Sequence, residues 1–416
     1  MSDNLHSREN SAAVDRGGVC APRGFRAGGV HCGIRDADES KNDLALIVSE
    51  VPCAAAAVYT TNKVKGAPLA VTRAHLADGR ARAVIVNSGN ANTCAPGGVE
   101  TAEEVCRLTA SELGCRENEV LVASTGVIGE ELHLEPFERG IPELVRSLGE
   151  DGSDAAARGI MTTDTVKKEE VETFTLDGHR CTIGGIAKGS GMIHPNMATM
   201  LAFITTDVRI APDMLQRLLR EDIRDTFNQL SVDGDTSTND MVLALASGLA
   251  GNDEISGDGT AYRAFAAAFR RLTTRLVRGL AADGEGAGKL IECHVAGART
   301  KETARIVARS VVSSNLLKAA IFGEDANWGR VLCAIGYAPG DFSTARIAVA
   351  IASDNGRVVV CRDSQYYEHS EEQAARVLAA DAIRIEIDLG EGDAEADAWG
   401  CDLTYDYVRI NGDYRS

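Results

Sequence analysis

Residues 187–202 read Ala-Lys-Gly-Ser-Gly-Met-Ile-His-Pro-Asn-Met-Ala-Thr-Met-Leu-Ala, a glycine-rich loop followed by an apolar run. Gly189 and Gly191 permit backbone conformations closed to other residues, which suits a loop whose peptide groups approach a substrate. The pair Pro195-Asn196 predicts a sharp turn. Residues 197–203 are apolar enough for a buried strand, so the segment is predicted to lead from a loop directly into a sheet.

Thr199 places a hydroxyl at the start of that predicted strand. β-branched residues are common in strands, and taken alone the side chain needs no further explanation. A threonine hydroxyl is also a nucleophile, but its pKa is too high for attack unless a base lies beside it. The residues elsewhere in the chain therefore decide between packing and chemistry.

Outside this segment, short apolar runs alternate with amphipathic helical patterns, which favours an α/β fold. The predicted strands are residues 83–86, 119–123, 197–203, 344–351, 357–361, 383–389 and 403–407. The predicted helices are residues 101–113, a segment from about Pro212, residues 260–279 and a segment after Ser370. The chain of 416 residues exceeds the size at which a single core stops growing, so two or more lobes are expected.

Local signals mark where several of these elements begin and end. Thr101 and Glu104 have the spacing of a capping box, and Gly114 is placed to end the same helix. Ser370 and Gln373 repeat the capping pattern before the last predicted helix. The stretch 354–356, Asp-Asn-Gly, predicts a hairpin turn between two strands.

The formal net charge of −18 limits the partners of the protein. A surface this acidic repels nucleic-acid phosphates and anionic lipid, so neither nucleic acid nor a membrane is an expected partner. No apolar run reaches the roughly 20 residues that cross a bilayer. Residues 1–22 are polar, without the apolar core of a signal peptide, and are predicted to be a disordered tail of a cytoplasmic protein.

Cysteine and histidine spacing gives no sign of a metal site. The eleven cysteines include no Cys-x-x-Cys pair, and they are interpreted as reduced packing residues of a cytosolic protein. The histidines are scattered, and His194, like the others, is interpreted as a packed or solvated residue. Residues 284–289 resemble a phosphate loop only faintly, because Asp283 stands at the first glycine position. No metal and no cofactor is therefore expected.

Beyond single motifs, the chain resembles the glutamate N-acetyltransferase, or ornithine acetyltransferase, family of arginine biosynthesis. The resemblance runs from about residue 24 to residue 416. Many collinear segments carry it, and together they are far more specific than one short motif. The matching segments are residues 58–65, 87–92, 124–129, 161–165, 187–201, 228–240, 322–330 and 410–414.

This resemblance implies a layered α-β-β-α sandwich with a smaller C-terminal α/β lobe from about residue 300. It also implies that the chain cuts itself between Ala198 and Thr199. The products would be an α chain of residues 1–198, in which residues 23–198 follow the tail, and a β chain of residues 199–416. The family further suggests that the two chains associate as a heterotetramer.

The chemistry of such a cut is self-consistent. The Oγ of Thr199 attacks the carbonyl of Ala198, and water hydrolyses the resulting ester. The cut frees an α-amine on Thr199, whose pKa should lie near about 7.7–8.0, so that it can act as a general base near neutral pH. One event thus creates a nucleophile and its base on the same residue.

The resemblance implies a ping-pong acetyl transfer from N-acetylornithine to glutamate through an ester on Thr199. Thr125 and Gly126 would stabilise the oxyanion of each tetrahedral intermediate. Lys188 can pair with a substrate carboxylate and Glu285 with an ammonium group. The residues that match the family's substrate contacts are Thr162, Lys188, Thr199, Glu285, Asn411 and Ser416.

Without the resemblance, the same residues have simpler interpretations. Residues 124–129 would be a plain glycine turn, and Lys188 or Glu285 alone would be a solvated surface charge. One alternative function is a self-processing amidohydrolase or aminopeptidase, which passes the acyl group to water. Another is an uncleaved binding or scaffold protein. Some family members also accept acetyl-CoA, and no feature of this sequence decides whether it is a donor here.

Overall fold

The structure, a computed structural model, describes residues 17–35, 40–194 and 200–413. Its strands are Phe25–Val30 (β1), Leu44–Tyr59 (β2), Arg80–Asn87 (β3), Val120–Ser124 (β4), Lys168–Leu176 (β5), His179–Lys188 (β6), Leu201–Thr206 (β7), Leu230–Ser231 (β8), Met241–Ala246 (β9), Leu290–Ala298 (β10), Ala348–Ser353 (β11), Gly356–Arg362 (β12), Gln365–Tyr366 (β13), Ala382–Asp388 (β14) and Ala394–Cys401 (β15). Its helices are Ala67–His75 (α1), Gly98–Leu113 (α2), Glu135–Arg146 (α3), Ser153–Gly159 (α4), Pro212–Asp222 (α5), Thr260–Ala282 (α6), Lys301–Val312 (α7), Asn315–Phe322 (α8), Trp328–Gly336 (α9), Glu371–Leu378 (α10) and Tyr405–Asp413 (α11).

The strands form two mixed sheets, and helices alternate with them along the chain. This agrees with the predicted α/β class. The first sheet has the order β4-β3-β2-β9-β7-β6-β5, with β1 paired to β2. Strand β7 runs parallel to β9 and antiparallel to β6. In this register Lys188, the last residue of β6, pairs with Leu201, the first residue of β7. The predicted strand 197–203 is described from Leu201 onward, whereas residues 195–199, with the predicted turn, lie outside the described residues.

Both faces of the first sheet are apolar and buried, which is typical of strands covered on both sides. Val84 and Val86 of β3 belong to one core cluster, whereas Ala83 and Ile85 belong to another that includes residues of α2 and α3. A third cluster joins α5 and α6 to β6, β7 and β9. The predicted strand 83–86 and the predicted helices near Pro212 and over 260–279 are therefore confirmed.

The second sheet has the order β13-β12-β11-β14-β10-β15-β8. Its core includes residues of α7 to α10 and begins at Ile291, earlier than the predicted lobe boundary of about 300. The predicted hairpin turn lies between β11 and β12, where Ser353 pairs with Gly356. Ser370 caps α10 by accepting a hydrogen bond from the Gln373 N–H, as predicted.

The predicted capping box at Thr101 is wrong, although the helix exists. Helix α2 begins at Gly98, after Gly97 in the left-handed conformation with φ of 64°. The Thr101 N–H donates to the Gly97 carbonyl at 2.9 Å, so Thr101 is already inside the helix. Gly114 ends the helix, with φ of 64°, as predicted.

The strand predicted over 403–407 is also wrong, because these residues enter helix α11. The Thr404 hydroxyl donates to the Gly286 carbonyl at 2.6 Å and accepts from the Asp406 N–H at 3.2 Å. It thereby satisfies a free N–H of the first helical turn and fixes the helix to the loop before β10. Tyr405 and Val408 remain exposed.

The prediction of a disordered tail over residues 1–22 extends too far along the chain. Gly18–Cys20 form a short 3-10 helix in which Val19 and Cys20 are fully buried. The Val19 N–H donates to the Ser153 hydroxyl at 3.0 Å, and its carbonyl accepts from the Thr205 hydroxyl at 2.8 Å. Residues 1–16 lie outside the described residues.

Candidate active site

A cavity of about 350 Å³ opens where β6 and β7 meet the loop after β4. Six of the predicted site residues line it: Thr125, Gly126, Thr162, Lys188, Glu285 and Asn411. They come from five separate stretches of sequence, so the fold alone brings them together. Ala198, Thr199 and Ser416 lie outside the described residues.

The loop after β4 carries two candidate hydrogen-bond donors at this cavity, the Gly126 N–H and the Thr125 hydroxyl. The Thr125 N–H is occupied by the Asn87 carbonyl at 3.0 Å. Gly126 has φ of 131°, and a Cβ there would lie 2.5 Å from the backbone of Gly89, so the position requires glycine. Within the described chain the Gly126 N–H has no acceptor. This N–H and the Thr125 hydroxyl are thus available to an oxyanion.

Lys188 is a buried cation on the cavity wall. Its Nζ donates to the Thr125 Oγ1 at 3.4 Å, which leaves the hydroxyl hydrogen of Thr125 free to point elsewhere. Burial lowers the pKa of Lys188 and the charge of Lys168 acts in the same direction, while the carboxylates of Asp164, Asp240 and Glu285 act to raise it. A buried cation of this kind gains from an anionic partner in the cavity.

Glu285 places a carboxylate on the same cavity. Its backbone N–H donates to the Ser190 carbonyl at 2.9 Å, and its Oε2 accepts from the Asn411 Nδ2 at 2.8 Å. A Cβ on Gly191 would overlap the Glu285 carboxyl group, so the glycine predicted to allow close approach makes room for this side chain. Helix α11, which was predicted as a strand, is the element that positions Asn411.

Next to the cavity lies a buried ion cluster that the sequence did not single out. Lys168 pairs with Asp164 at 2.6 Å and with Asp283, and all three side chains are almost completely buried. Asp164 also accepts from the N–H groups of Thr162, at 3.0 Å, and Gly189, at 2.7 Å. The cluster therefore ties together the loops that carry Thr162 and Gly189.

Opposed effects set the protonation of this cluster. Burial acts to raise the pKa of Asp164, but the charges of Lys188 and Lys168 outweigh it and hold the pKa at about 2. Asp240, which lines the cavity, behaves in the opposite way, because burial raises its pKa well above the usual range. Its Oδ2 is buried and has no hydrogen-bond partner among the residues that the structure describes.

The two residues that follow Thr199 in the sequence belong to the cavity wall. Met200 and Leu201 line the cavity, and the Met200 carbonyl accepts from the Met241 N–H at 3.0 Å.

Other predictions concern the absence of special sites. All eleven cysteines are free, and seven of them are buried, which agrees with a packing role. Over residues 17–35, 40–194 and 200–413, no group of His, Cys, Asp or Glu could hold a metal ion. No helix in that part of the chain is long and apolar enough to cross a membrane.

Comparison with known proteins identifies the family to which this chain belongs. The arginine biosynthesis bifunctional protein ArgJ of Symbiobacterium thermophilum is 50% identical over 401 residues, which cover 96% of this chain and 99% of that protein. A model described as the ArgJ family matches residues 26–416. The chain belongs to the ArgJ family.

Two solved structures are also similar to the chain. The arginine biosynthesis bifunctional protein argJ of Bacillus halodurans is 45% identical with a TM-score of 0.50, and the match covers 52% of this chain and 100% of that one. An ornithine acetyltransferase of Mycobacterium tuberculosis, solved in complex with ornithine, is 40% identical with a TM-score of 0.40, covering 44% of this chain and 97% of that one.

Proposed function

We propose that the chain cuts itself between Ala198 and Thr199 and then transfers an acetyl group from N2-acetyl-L-ornithine to L-glutamate. The observation that carries the proposal is the composition of one cavity. Two candidate oxyanion donors, a buried cation and a carboxylate surround a space whose wall includes Met200, the residue that follows Thr199 in the sequence.

The charges of the cavity complement both substrates. N-acetylornithine carries a carboxylate and a side-chain ammonium group, and glutamate carries two carboxylates. Lys188 binds a carboxylate of each substrate, and Glu285, held by Asn411, binds the ammonium of the ornithine moiety. Thr162 and Ser416 complete the substrate contacts. An amino-acid acceptor therefore suits the cavity better than water, the acceptor of an amidohydrolase or aminopeptidase.

Self-cleavage supplies the nucleophile. The Thr199 Oγ attacks the Ala198 carbonyl, the peptide nitrogen leaves as the amine of Thr199, and water hydrolyses the ester to free the Ala198 carboxylate.

The transfer then takes place in two balanced steps. The amine of Thr199 accepts the proton from its own Oγ, which attacks the acetyl carbonyl. The oxyanion binds the Thr125 hydroxyl and the Gly126 N–H, and ornithine leaves with the proton on its α-amine. The α-amine of glutamate next attacks the acetyl ester, and its proton passes to the Thr199 Oγ. Each step exchanges one acyl bond for another, without a metal or cofactor.

Finer features of the assembly belong to the same proposal. The apolar faces of the first sheet support a layered α-β-β-α arrangement. The α chain of residues 23–198 and the β chain of residues 199–416 associate as a heterotetramer in the cytoplasm. The use of acetyl-CoA as a second donor is left open and is tested by measuring CoA release from acetyl-CoA in the presence of glutamate.

The test compares the wild type with Thr199→Ala by denaturing gel, intact mass and N-terminal sequencing. The wild type should give two chains, one beginning at Thr199, whereas the variant should stay whole and inactive. Ornithine release from N-acetylornithine is then measured with and without glutamate. Release that needs glutamate supports the transferase, whereas equal release without it indicates a hydrolase. An intact and fully active wild type would refute the mechanism.

A further inference from the structure

Asp240 is a buried carboxyl group on the cavity wall that the proposed mechanism does not use. It immediately precedes β9 and is 3% exposed. Its carbonyl accepts from the Thr60 N–H at 3.0 Å, and the N–H of the next residue, Met241, donates to the Met200 carbonyl at 3.0 Å. The backbone here is therefore hydrogen-bonded to both neighbouring strands, which holds Asp240 at the cavity wall.

The carboxyl group of Asp240 is only partly satisfied by the protein. Its Oδ2 is an orphan among the residues that the structure describes. Asp222, which is similarly buried, instead pairs with Arg270 at 2.5 Å and accepts from the Thr226 hydroxyl at 3.1 Å. Buried polar atoms of folded proteins nearly always have a partner, so the Asp240 oxygen requires an explanation. Its place on the cavity wall points to a ligand.

The charges on the cavity wall decide which form of Asp240 suits the proposed substrates. Among the described residues, the charged side chains that line the cavity are Lys188, Asp240 and Glu285. If both carboxyl groups were ionised, one cation would face two anions, and a dicarboxylate such as glutamate would be repelled. With a proton on Asp240, the charges on the wall balance and the wall gains a hydrogen-bond donor.

The surroundings of Asp240 support the protonated form. Burial raises its pKa well above the usual range, and a hydrogen bond from Ser237 and the charge of Lys188 only partly offset this effect. The titratable groups on the elements around it are Lys188 at the end of β6, Glu285 in the loop before β10 and Tyr59 at the end of β2. Burial raises the pKa of Tyr59 to about 12, so this phenol stays neutral.

Asp240 and Lys188 lie at the same edge of the first sheet. Lys188 pairs with Leu201, and Leu201 pairs with Met241, the residue after Asp240. Neighbouring strands are about 4.8 Å apart, so the two backbones are separated by about 10 Å across the sheet. Side chains that line one cavity from these two positions can each bind a different carboxylate of one small molecule.

We propose that Asp240 stays protonated and donates a hydrogen bond to the second carboxylate of glutamate, while Lys188 binds the first. This assignment rests on the proposed function and extends it, because it explains how a wall that carries Glu285 accepts a substrate with two negative groups. N-acetylornithine has one carboxylate and does not need the second donor. Asp240 is therefore a specificity-determining residue for the acceptor.

Binding of glutarate, which has both carboxylates of glutamate but no amine, tests the proposal without catalysis. Calorimetry compares the wild type with Asp240→Asn, whose amide keeps a donor, and with Asp240→Leu, which has none. Asp240→Leu should weaken glutarate binding about tenfold or more, the usual loss of a hydrogen bond to a charged group, whereas Asp240→Asn should stay within about threefold. Ornithine, with one carboxylate, is the matched control ligand, and its affinity should change by less than about threefold in both variants.

The pH dependence is a second readout, which a merely structural role of Asp240 would not change. Glutarate affinity of the wild type should fall as the pH rises through the pKa of Asp240, because the ionised group loses its donor and repels the ligand. Above that pH, binding should take up a proton, which calorimetry in buffers of different ionisation enthalpy detects. Asp240→Asn should bind without this uptake, and Lys188 contributes equally to both proteins.

Two results would overturn the assignment. One is an unchanged glutarate affinity in Asp240→Leu, which would show that the side chain does not contact a carboxylate. The other is an equal loss in Asp240→Asn and Asp240→Leu, which would show that the ionised form is required. If the wild type binds glutarate as expected but neither cleaves itself nor transfers acetyl groups, the proposed function fails, whereas the dicarboxylate site at Asp240 stands.

Discussion

Lys188 Nζ donates to the Thr125 Oγ1 at 3.4 Å, so a buried cation orients the hydroxyl of the oxyanion loop. We predict that Thr125→Val, which removes the hydroxyl at nearly constant shape, lowers kcat by about 10²–10³-fold. Thr125→Ser should retain most of the activity. Steady-state kinetics with N-acetylornithine and glutamate measure both, and a Thr125→Val enzyme within threefold of wild type would contradict the role.

Gly191 makes room for the Glu285 carboxyl group, which a methyl group would displace. Gly191→Ala should therefore weaken binding of the ammonium-bearing donor and raise KM for N-acetylornithine about tenfold or more, equivalent to about 1.4 kcal/mol. KM for glutamate should change less. Gly257→Ala, where a Cβ meets open space, is the matched control and should leave both constants unchanged.

Lys168 is the only partner that joins Asp164 to Asp283 in the described ion cluster. Lys168→Met should lower the free energy of unfolding by about 3–5 kcal/mol, because it leaves buried carboxylates without compensation. The neighbouring Lys167, which is 36% exposed, also forms two ion pairs. Lys167→Met should cost only about 0–1 kcal/mol in the same urea titration. Equal losses in the free energy of unfolding for Lys168→Met and Lys167→Met would contradict a larger contribution of the buried cluster to stability.

Asp164 predicts a pH dependence with a defined sign. Its folded pKa of about 2 lies below the ordinary value of 3.8, so its ionised form favours the folded state. The contribution, about 2 kcal/mol, is fully present above about pH 4 and is lost as the pH falls towards 2. The difference in unfolding free energy between wild type and Asp164→Asn should therefore shrink below pH 4. If this difference in unfolding free energy grew below pH 4, the folded state would not lower the pKa of Asp164.

Asn411 brings the last helix onto the cavity wall, and the predicted contact of Ser416 follows it in sequence. Deleting residues 414–416 should reduce kcat/KM at least tenfold while changing Tm by less than about 2 °C, because the last few residues of a chain usually contribute little to stability. Full activity of the truncated protein would remove Ser416 from the site.

The sequence predicted the elements whose signals are local and missed those set by distant contacts. Gly114 ended its helix as expected, because a glycine that adopts the left-handed conformation at a helix end depends only on neighbouring residues. Thr101 failed as a cap because Gly97 had already started the helix. Tyr405 was assigned to a strand because apolar and polar residues alternate in the sequence around it. The contact of Thr404 with Gly286, which leads the chain into a helix, is not visible in the sequence.

The same limit applies to the site. Thr125, Lys188 and Glu285 were predicted from the resemblance, and the fold places them on one cavity. The ion pair between Lys168 and Asp283 was missed because residues 115 positions apart carry no spacing signal. Asp164 and Asp240 nevertheless lay inside the segments that matched the family, which was the available clue.

The strand order carries a consequence for how the two halves would behave. Strands β9 and β7, which follow the proposed cut, lie between β2 and β6, which precede it. Pulling the halves apart would strip hydrogen-bonded strand pairs on two sides at once. The fragments would therefore behave as an interlocked pair: they would co-purify under native conditions, would not exchange with added fragments, and would have to be synthesised as one precursor before being cut.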